Sequence, residues 1–562
     1  VVDAGDGLPL TVPGLLRDRV AARPDAVLLA CDGDRLTYAA ADDRSAELAR
    51  ALLAAGAGAG TRVGILHPNG SDFVVAWLAA ARIGAVSVPL STFSTGPELA
   101  GLLRGADVAI LLAAAGYRSH DYPAALRSAV AGLDLDAPPP LLAEAVPSLR
   151  RVAFALPHGD PMVHVGWTME GLLAATGADD AGGPGPDVLA AAEAAVTPAD
   201  RMVIVHTSGS TSDPKGVVHT HGALIRHLDN LNELRRYAPG EVLFSSSPFF
   251  WIGGFAYALL GTLVAGATLA CSNAPDAAGV LDVLERERPT MVNGFAASVA
   301  HLPDHPSFPS RDLSSIRRGN LYPIVPDAVR PADPGLRHAM LGMTEAGSVC
   351  LASDDEGDQP EHRRGSFGRP VPGFEARVRR PHGDGDADAD GAADADAEGA
   401  DCAPGEVGEL WLRGPFLMDG YDGRERHDTF EPDGWFRTGD LVTADADGFV
   451  YFRGRRSDVI KTAGANVSPR EVEAAILEVA GLAAHVVGVA DEARGELVAA
   501  LVRAPAGGPD GVDVEDLRAR LRDRLSAYKV PRRIRVVPDG DVPMMSSGKV
   551  DLRALKAMLG DA

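Results

Sequence analysis

HTSGSTSDPKG, residues 206–216, is the stretch on which the reading of this chain turns. It follows without a break on MVIV (202–205), an apolar run of strand type. Its hydroxyls and backbone N–H groups therefore gather at the end of a strand, where ligands bind in α/β sheets. Small residues and hydroxyls crowd one part of the loop, and Lys215 closes it. The Walker pattern, GxxxxGK followed by Ser or Thr, occurs nowhere in the chain, so this is a phosphate-type loop of another kind.

Working outward, short apolar runs alternate with Ala-rich amphipathic patterns. RVGILHP (62–68), VSVPL (86–90), DVAILLA (107–113) and MVIVHTSG (202–209) read as strands, and FVVAWLAAARIGAV (73–86) as a helix. The Gly-, Pro- and polar-rich segments around 114–122 and 176–200 read as loops or surface additions. Beyond residue 453 a compact module of about a hundred residues follows. It holds helix patterns SPREVEAAILEV (468–479) and VEDLRARLRDRLSA (514–527), and strand patterns AAHVVGVA (483–490), ELVAALVR (496–503) and IRVVP (534–538). The expected fold class is α/β: a large N-terminal domain (1–453) with parallel-rich sheets sandwiched by helices, plus a small mobile C-terminal α/β domain (454–562). The short charged join FRGRRSD (452–458) reads as a hinge at 454–458, or as an ordinary surface turn.

Composition narrows the function classes. The formal charge of −24 over 562 residues disfavours binding to nucleic acid or anionic membrane. Part of it is local: GDGDADADGAADADAEGAD (383–401) is an acidic, low-complexity insertion without the Gly and Glu spacing of a calcium loop. Cys31, Cys271, Cys350 and Cys402 are far apart and form no CxxC, and VVDAGDGLPL lacks signal-peptide blocks, so a cytoplasmic protein with reduced thiols is expected. The uncharged stretch 248–275 is long enough for a membrane span, but its Gly and Thr interruptions favour a buried helix-and-strand pair. Only five lysines stand against 48 arginines. Lys215, Lys461, Lys529 and Lys549 therefore mark places where a compact ammonium fits beside a phosphate or carboxylate and a guanidinium does not, whereas Lys556 needs no such reason.

Further segments join the loop in a consistent order: LGMTEAG (341–347), GELWLRGPFLMDGY (408–421), GWFRTGDLV (434–442), GRRSDVIKTAGANVSPREVE (454–473) and VPMMSSGKVDLRAL (542–555). With TSGSTSDPKG they resemble, over residues 10 to 558, the motifs of the adenylate-forming (ANL) superfamily. That superfamily contains acyl-CoA synthetases, luciferases and carrier-loading adenylation domains. The resemblance implies ATP, AMP or an acyl-AMP, CoA and Mg²⁺ as cofactors and substrates. Thr207, Ser208, Ser210, Thr211 and Lys215 would hold the β- and γ-phosphates, and Thr344 and Glu345 the α-phosphate, with Glu345 also a Mg²⁺ ligand. Gly319, Gly342 and Met343 would lie beside the nucleotide, and Asp440 and Arg455 would hold the ribose. Lys549, in a lysine loop over 543–553, would bridge carboxylate and α-phosphate. The small domain would rotate between half-reactions, bringing Lys461 and Gly464 to a pantetheine tunnel.

Departures from the family pattern cluster on the nucleotide side. Ser212 replaces a loop glycine, Leu341 a tyrosine that stacks on adenine, and Ser457 a hinge Asp or Lys; the 317–340 segment is short. Together they are of a kind that would weaken ATP binding without spoiling the thioester step. Phe250, Trp251, Gly253, Gly254, Gly294 and Phe295 are the expected acyl-pocket residues, with room and apolar walls for a bulky hydrophobic acid. The expected function is an acyl-CoA ligase acting on such an acid and CoA. The alternatives are thioesterification from a pre-formed acyl-adenylate, loading of a separate carrier protein, and a non-catalytic acyl or nucleotide sensor. A homodimer is compatible with the sequence.

Overall fold

The structure, a computed structural model, describes residues 7–156, 163–174, 183–207, 214–380, 399–455, 459–504, 511–538, 541–544 and 550–560; the side chains of Ala297 and Arg455 lie outside that description. A large N-terminal domain carries two parallel-rich sheets, and a smaller C-terminal domain carries a mostly antiparallel one. The loop strand Arg201–Thr207 lies in a seven-stranded sheet. Its order is Gly420–Tyr421, Lys215–Thr220, Arg201–Thr207, Val86–Pro89, Arg62–Leu66, Ile110–Ala114, Arg151–Ala155. The first two pairings are antiparallel and the remaining four parallel. The second sheet runs Arg318–Gly319, Met291–Val292, Val242–Phe244, Thr268–Cys271, Val27–Cys31, Asp34–Thr37, parallel except at its last pair.

The helix Ser71–Arg82 explains why the sheets stay together. Every residue of it except Asp72 is buried, and it touches strands of both sheets. A helix that is apolar on all sides is stable only in such a core position. The uncharged stretch 248–275 folds as a π-helix (Gly253–Leu260), a short α-helix (Gly261–Ala265) and the strand Thr268–Cys271, the expected helix-and-strand pair. No helix among the described residues is long and apolar enough to cross a membrane. The C-terminal sheet is built from Ala465–Val467, Ile460–Thr462, Gly495–Arg503 and Ala484–Asp491, with Arg533–Val537 alongside Gly495–Arg503.

Two loop readings are corrected. Residues Pro186–Ala195 form a helix, because proline at its first turn and the Ala-rich run that follows outweigh the Gly-Pro flank. Its Glu193 is gripped by Arg17 and Arg82. Residues Gly116–Tyr117 and His120–Asp121 form a small antiparallel hairpin. The acidic insertion, save for residues 399–401, lies outside the described residues, as do 456–458 of the join. All four cysteines are free.

Among the described residues, five histidines give the fold a pH dependence. Burial pushes His67, His206, His219 and His221 down to about 4, and His227 to about 3. An unfolded histidine titrates near 6.5. Between those values the unfolded chain binds protons that the native chain refuses, so stability falls as pH drops through 6.5 toward 4. Each fully linked histidine contributes a slope of about 1.4 kcal/mol per pH unit. Thermal melts should show the midpoint falling steadily from pH 7 to pH 5; an unchanged midpoint across that span would contradict the neutral-histidine assignment.

Candidate active site

The strand ends open into a cleft of about 1310 Å³ whose walls come from both domains. Thr207 and Lys215 face each other across a strand pair and both line it. The loop between them, with Ser208, Ser210, Thr211 and Ser212, lies outside the described residues.

Strand periodicity places Lys215, Val217 and His219 on one face of Lys215–Thr220. The edge strand Gly420–Tyr421 pairs with it at Val217↔Tyr421, which sets the tyrosine between Lys215 and His219 on that face. Tyr421 and His219 reach the turn Thr344–Ala346, and Lys215 packs on the tyrosine ring. The Tyr421 hydroxyl donates to Glu345 Oε1 at 2.8 Å, and the Met418 amide donates to the Glu345 carbonyl at 2.9 Å. His219 Nε2 lies 2.7 Å from the Thr344 carbonyl oxygen. A carbonyl only accepts, so Nε2 carries the proton, in keeping with an imidazole held neutral by burial. Lys215 Nζ sits 5.0 Å from the centre of the Tyr421 ring. Its pKa is lowered, first by burial and then by Arg424, against the opposing pull of Glu345.

The TGD segment borders the same cleft. Thr438 Oγ1 donates to the Leu410 carbonyl at 2.7 Å and accepts from the Asp440 amide at 3.0 Å, while Gly439 N donates to Glu409 Oε1 at 3.1 Å. Thr438, Gly439 and Glu409 line the cleft, whereas Asp440 is 1% exposed directly behind them. Its backbone pairs with that of Arg455. Gly342, Met343, Thr344 and Glu345 line the cleft. Gly319 does not; its φ is +128° and a side chain there would strike the Val292 carbonyl, so its glycine serves strand approach, and Asn320 is the lining residue. Leu341 likewise packs into the core and is not a lining residue, although its neighbours Met340 and Gly342 are. The 317–340 segment instead brings Tyr322 and His338 to the wall, the latter stacked on Phe449 at 5.1 Å. Sequence reading missed both, because a shortened segment gives no motif against which to place them.

On the acyl side, Phe250, Trp251, Gly253, Gly254, Gly294 and Phe295 all line the cleft. Phe93 meets Phe250 at 5.4 Å and Trp251 at 6.4 Å, and Trp251 meets Phe295 at 6.4 Å, all edge to face. A side chain at Gly254 would collide with the Pro248 carbonyl, while one at Gly253 would enter open space. The first glycine lets the chain turn; the second leaves room.

The small domain closes the cleft at two points. Strands Ile460–Thr462 and Ala465–Val467 are joined by Ala463–Gly464, with φ of +49° and +85°, the two left-handed residues of a tight hairpin turn. Gly464 lies against Phe295, so close that an added Cβ would be 2.8 Å from the ring. Lys461 also lines the cleft, its amide donating to Glu496 Oε2 at 2.7 Å. At the second point Lys529 Nζ stands 2.7 Å from both Glu98 Oε1 and Glu471 Oε1. Ser526 Oγ donates to Glu98 Oε2 at 2.7 Å, and Thr95 Oγ1 donates to the Arg524 carbonyl at 3.1 Å. Lys549 lies outside the described residues.

No group of three or more His, Cys, Asp or Glu side chains that could hold a metal occurs among the described residues. The donor set suits Mg²⁺ arriving with a nucleotide, since that ion is commonly held by one or two carboxylates together with substrate phosphates, and Glu345 would be the protein ligand.

Comparison with known proteins agrees with this geometry. The AMP-binding enzyme family matches residues 16–422, and the AMP-binding enzyme C-terminal domain matches residues 471–549. A feruloyl-CoA synthase from Amycolatopsis sp is 32% identical over 539 residues, covering 95% of this chain and 96% of that protein. A CoA ligase for a methyl-dioxo-octahydroindenyl propanoate, from Mycobacterium tuberculosis, is 30% identical over 98% of this chain and 99% of its own. Among solved structures, an amide bond synthetase from Marinactinospora thermotolerans superposes with a TM-score of 0.75 at 28% identity, covering 97% of this chain and all of that one.

Proposed function

Since the chain belongs to the AMP-binding enzyme family, we propose that it is an acid–thiol ligase that joins a bulky hydrophobic carboxylic acid to coenzyme A through an acyl-adenylate. One observation carries the reading: a single cleft has an aromatic wall, the Lys215–Tyr421–Glu345 cluster and the Gly464 turn on its border. A carboxylate entering along Phe250 and Trp251 would reach the Thr344–Glu345 turn. There Lys215, Thr207, Ser208, Ser210 and Thr211 hold the outer phosphates of ATP while the carboxylate attacks the α-phosphorus and pyrophosphate leaves. The TGD segment borders the ribose side, with Thr438 and Gly439 at the cleft and Asp440 behind them backbone-paired to Arg455, and Lys549 steadies the charge that develops on the α-phosphate. Mg²⁺, when bound, neutralises phosphate charge beside Glu345. In the second half-reaction the CoA thiol, entering past Lys461 and Gly464, attacks the acyl carbon and releases AMP. The small domain, from residue 454 onward, turns about 454–458 between the two.

Both half-reactions belong to the proposal. Leu341 lies in the core and gives the cleft wall no flat group, whereas Tyr322 and His338 each bring a ring to it. The test is thioester formation from ATP, CoA and a panel of acids. Aryl or polycyclic acids should exceed acetate by at least about tenfold in kcat/KM, a margin worth about 1.4 kcal/mol. Best activity with acetate or an amino acid would sink the substrate class. Product formed only when an amine replaces CoA would reassign the acceptor.

A further inference from the structure

We infer that Tyr421 is the positioning residue of the adenylation centre: its ring seats the Lys215 ammonium and its hydroxyl aims the Glu345 carboxylate, so one side chain sets the gap that the phosphates enter. The inference rests on the proposed function and extends it to a residue with no place in the chemistry outlined above.

Lys215 and Glu345 carry opposite charges in one cleft and feel each other, yet among the described residues no ion pair joins the two. Left alone, they would close on one another and compete with the nucleotide for both charges. Tyr421 stands between them. Its hydroxyl occupies Glu345 Oε1 at 2.8 Å, and its electron-rich face holds Lys215 Nζ at 5.0 Å, a distance at which a cation is attracted to the ring. The tyrosine is itself fixed by a rigid frame. Backbone pairs join Val217 to Tyr421 and Val218 to Gly420. The Asp422 amide donates to the Gly216 carbonyl at 2.7 Å, and the Asp419 amide to that of Val218 at 2.9 Å. The Asp422 carboxylate accepts two bonds from Arg62, at 2.9 and 2.8 Å. Such a bidentate clamp on a neighbouring residue leaves the ring little freedom to drift.

Tyr421→Phe removes the hydroxyl and keeps the seat; Tyr421→Leu removes both. Loss of one hydrogen bond to a charged group corresponds to a change of about tenfold or more. Calorimetric titration of the full-length enzyme with MgATP, in the absence of acid, should show Tyr421→Phe binding about tenfold more weakly and Tyr421→Leu more weakly still. Pyrophosphate exchange should fall in parallel, and thioester formation from synthetic acyl-adenylate should fall less. In the double variant Tyr421→Phe/Glu345→Gln, MgATP binding should be no weaker than in Glu345→Gln alone, because the hydroxyl acts through that carboxylate. Wild-type-like binding by Tyr421→Phe, or fully additive losses in the double variant, would overturn the inference while leaving the proposed function standing. A wild-type enzyme that neither binds MgATP nor exchanges pyrophosphate would overturn both. Tyr421→Phe alone decides the matter if Tyr421→Leu fails to fold.

Discussion

Lys529→Met should weaken the docking of the small domain on the large one by about 3–5 kcal/mol, the usual loss when one partner of a buried ion pair is removed. The reason is local. Lys529 bridges Glu471 of its own domain and Glu98 of the other, and the three side chains are only 9–13% exposed. Without the ammonium, two carboxylates face one another out of water, and undocking is the easiest relief. Hydrogen exchange at residues 95–98 and 524–529 should rise, and thioester formation should fall by roughly a hundredfold, since Gly464 would leave Phe295. Adding Glu98→Leu should recover much of the loss by removing the stranded charge across the seam. Equal protection in Lys529→Met and wild type would remove the ion triad from any role in docking.

The same seam has a pH window. Burial alone would raise Glu98, but the Lys529 charge and hydrogen bonds outweigh it and hold the carboxyl below its ordinary range. Burial alone would lower Lys529, and its neighbours Tyr528, Glu98 and Glu471 instead raise it well above its ordinary value. Glu98 therefore stabilises docking above the normal glutamate range, an effect lost as pH falls through its folded pKa. Lys529 does so below about 10.5, an effect lost as pH rises through its own.

Glu98 also shows where sequence reading stops. As a sequence it offers an ordinary capping box, and it is one: Thr95 and Glu98 exchange the reciprocal bonds at the start of Gly96–Gly105. Nothing local announces that its other oxygen crosses to Lys529. The strands and the buried helix Ser71–Arg82 were legible because period-two and all-apolar patterns are local properties. Lys215, Thr344, Glu345 and the acyl-side residues were legible through motifs, and all of these line the cleft. Tyr421 closes a quoted motif too, but its work depends on an antiparallel pairing with Val217 that local periodicity cannot reveal. The helix Pro186–Ala195 escapes a local reading for a different reason: its Gly-Pro flank signals a loop, whereas helix propensity is decided over the whole Ala-rich segment.

Gly464→Val should abolish most thioester formation and spare pyrophosphate exchange. Two independent costs act at this position. At φ +85° a residue with a Cβ is strained by about 1–2 kcal/mol, and a β-branched one is an outlier. The new Cβ would also meet the Phe295 ring at 2.8 Å, so that half-exposed ring must swing off the turn it now covers. Together they correspond to a loss of about a hundredfold or more in the step that needs the turn seated beside Phe295. The preceding Ala463 already carries a side chain at φ +49°, so the hairpin tolerates one strained residue; the second position also has a neighbour in the way. The two costs separate by substitution. Gly464→Ala should be less damaging than Gly464→Val, and Gly464→Ala with Phe295→Ala should regain the part due to collision while keeping the part due to backbone strain. Thioester formation from synthetic acyl-adenylate measures the affected step, and pyrophosphate exchange on the same preparations shows whether the adenylation half stands apart. If both half-reactions fall together, the turn matters to the fold of the small domain and not to one face of the cleft.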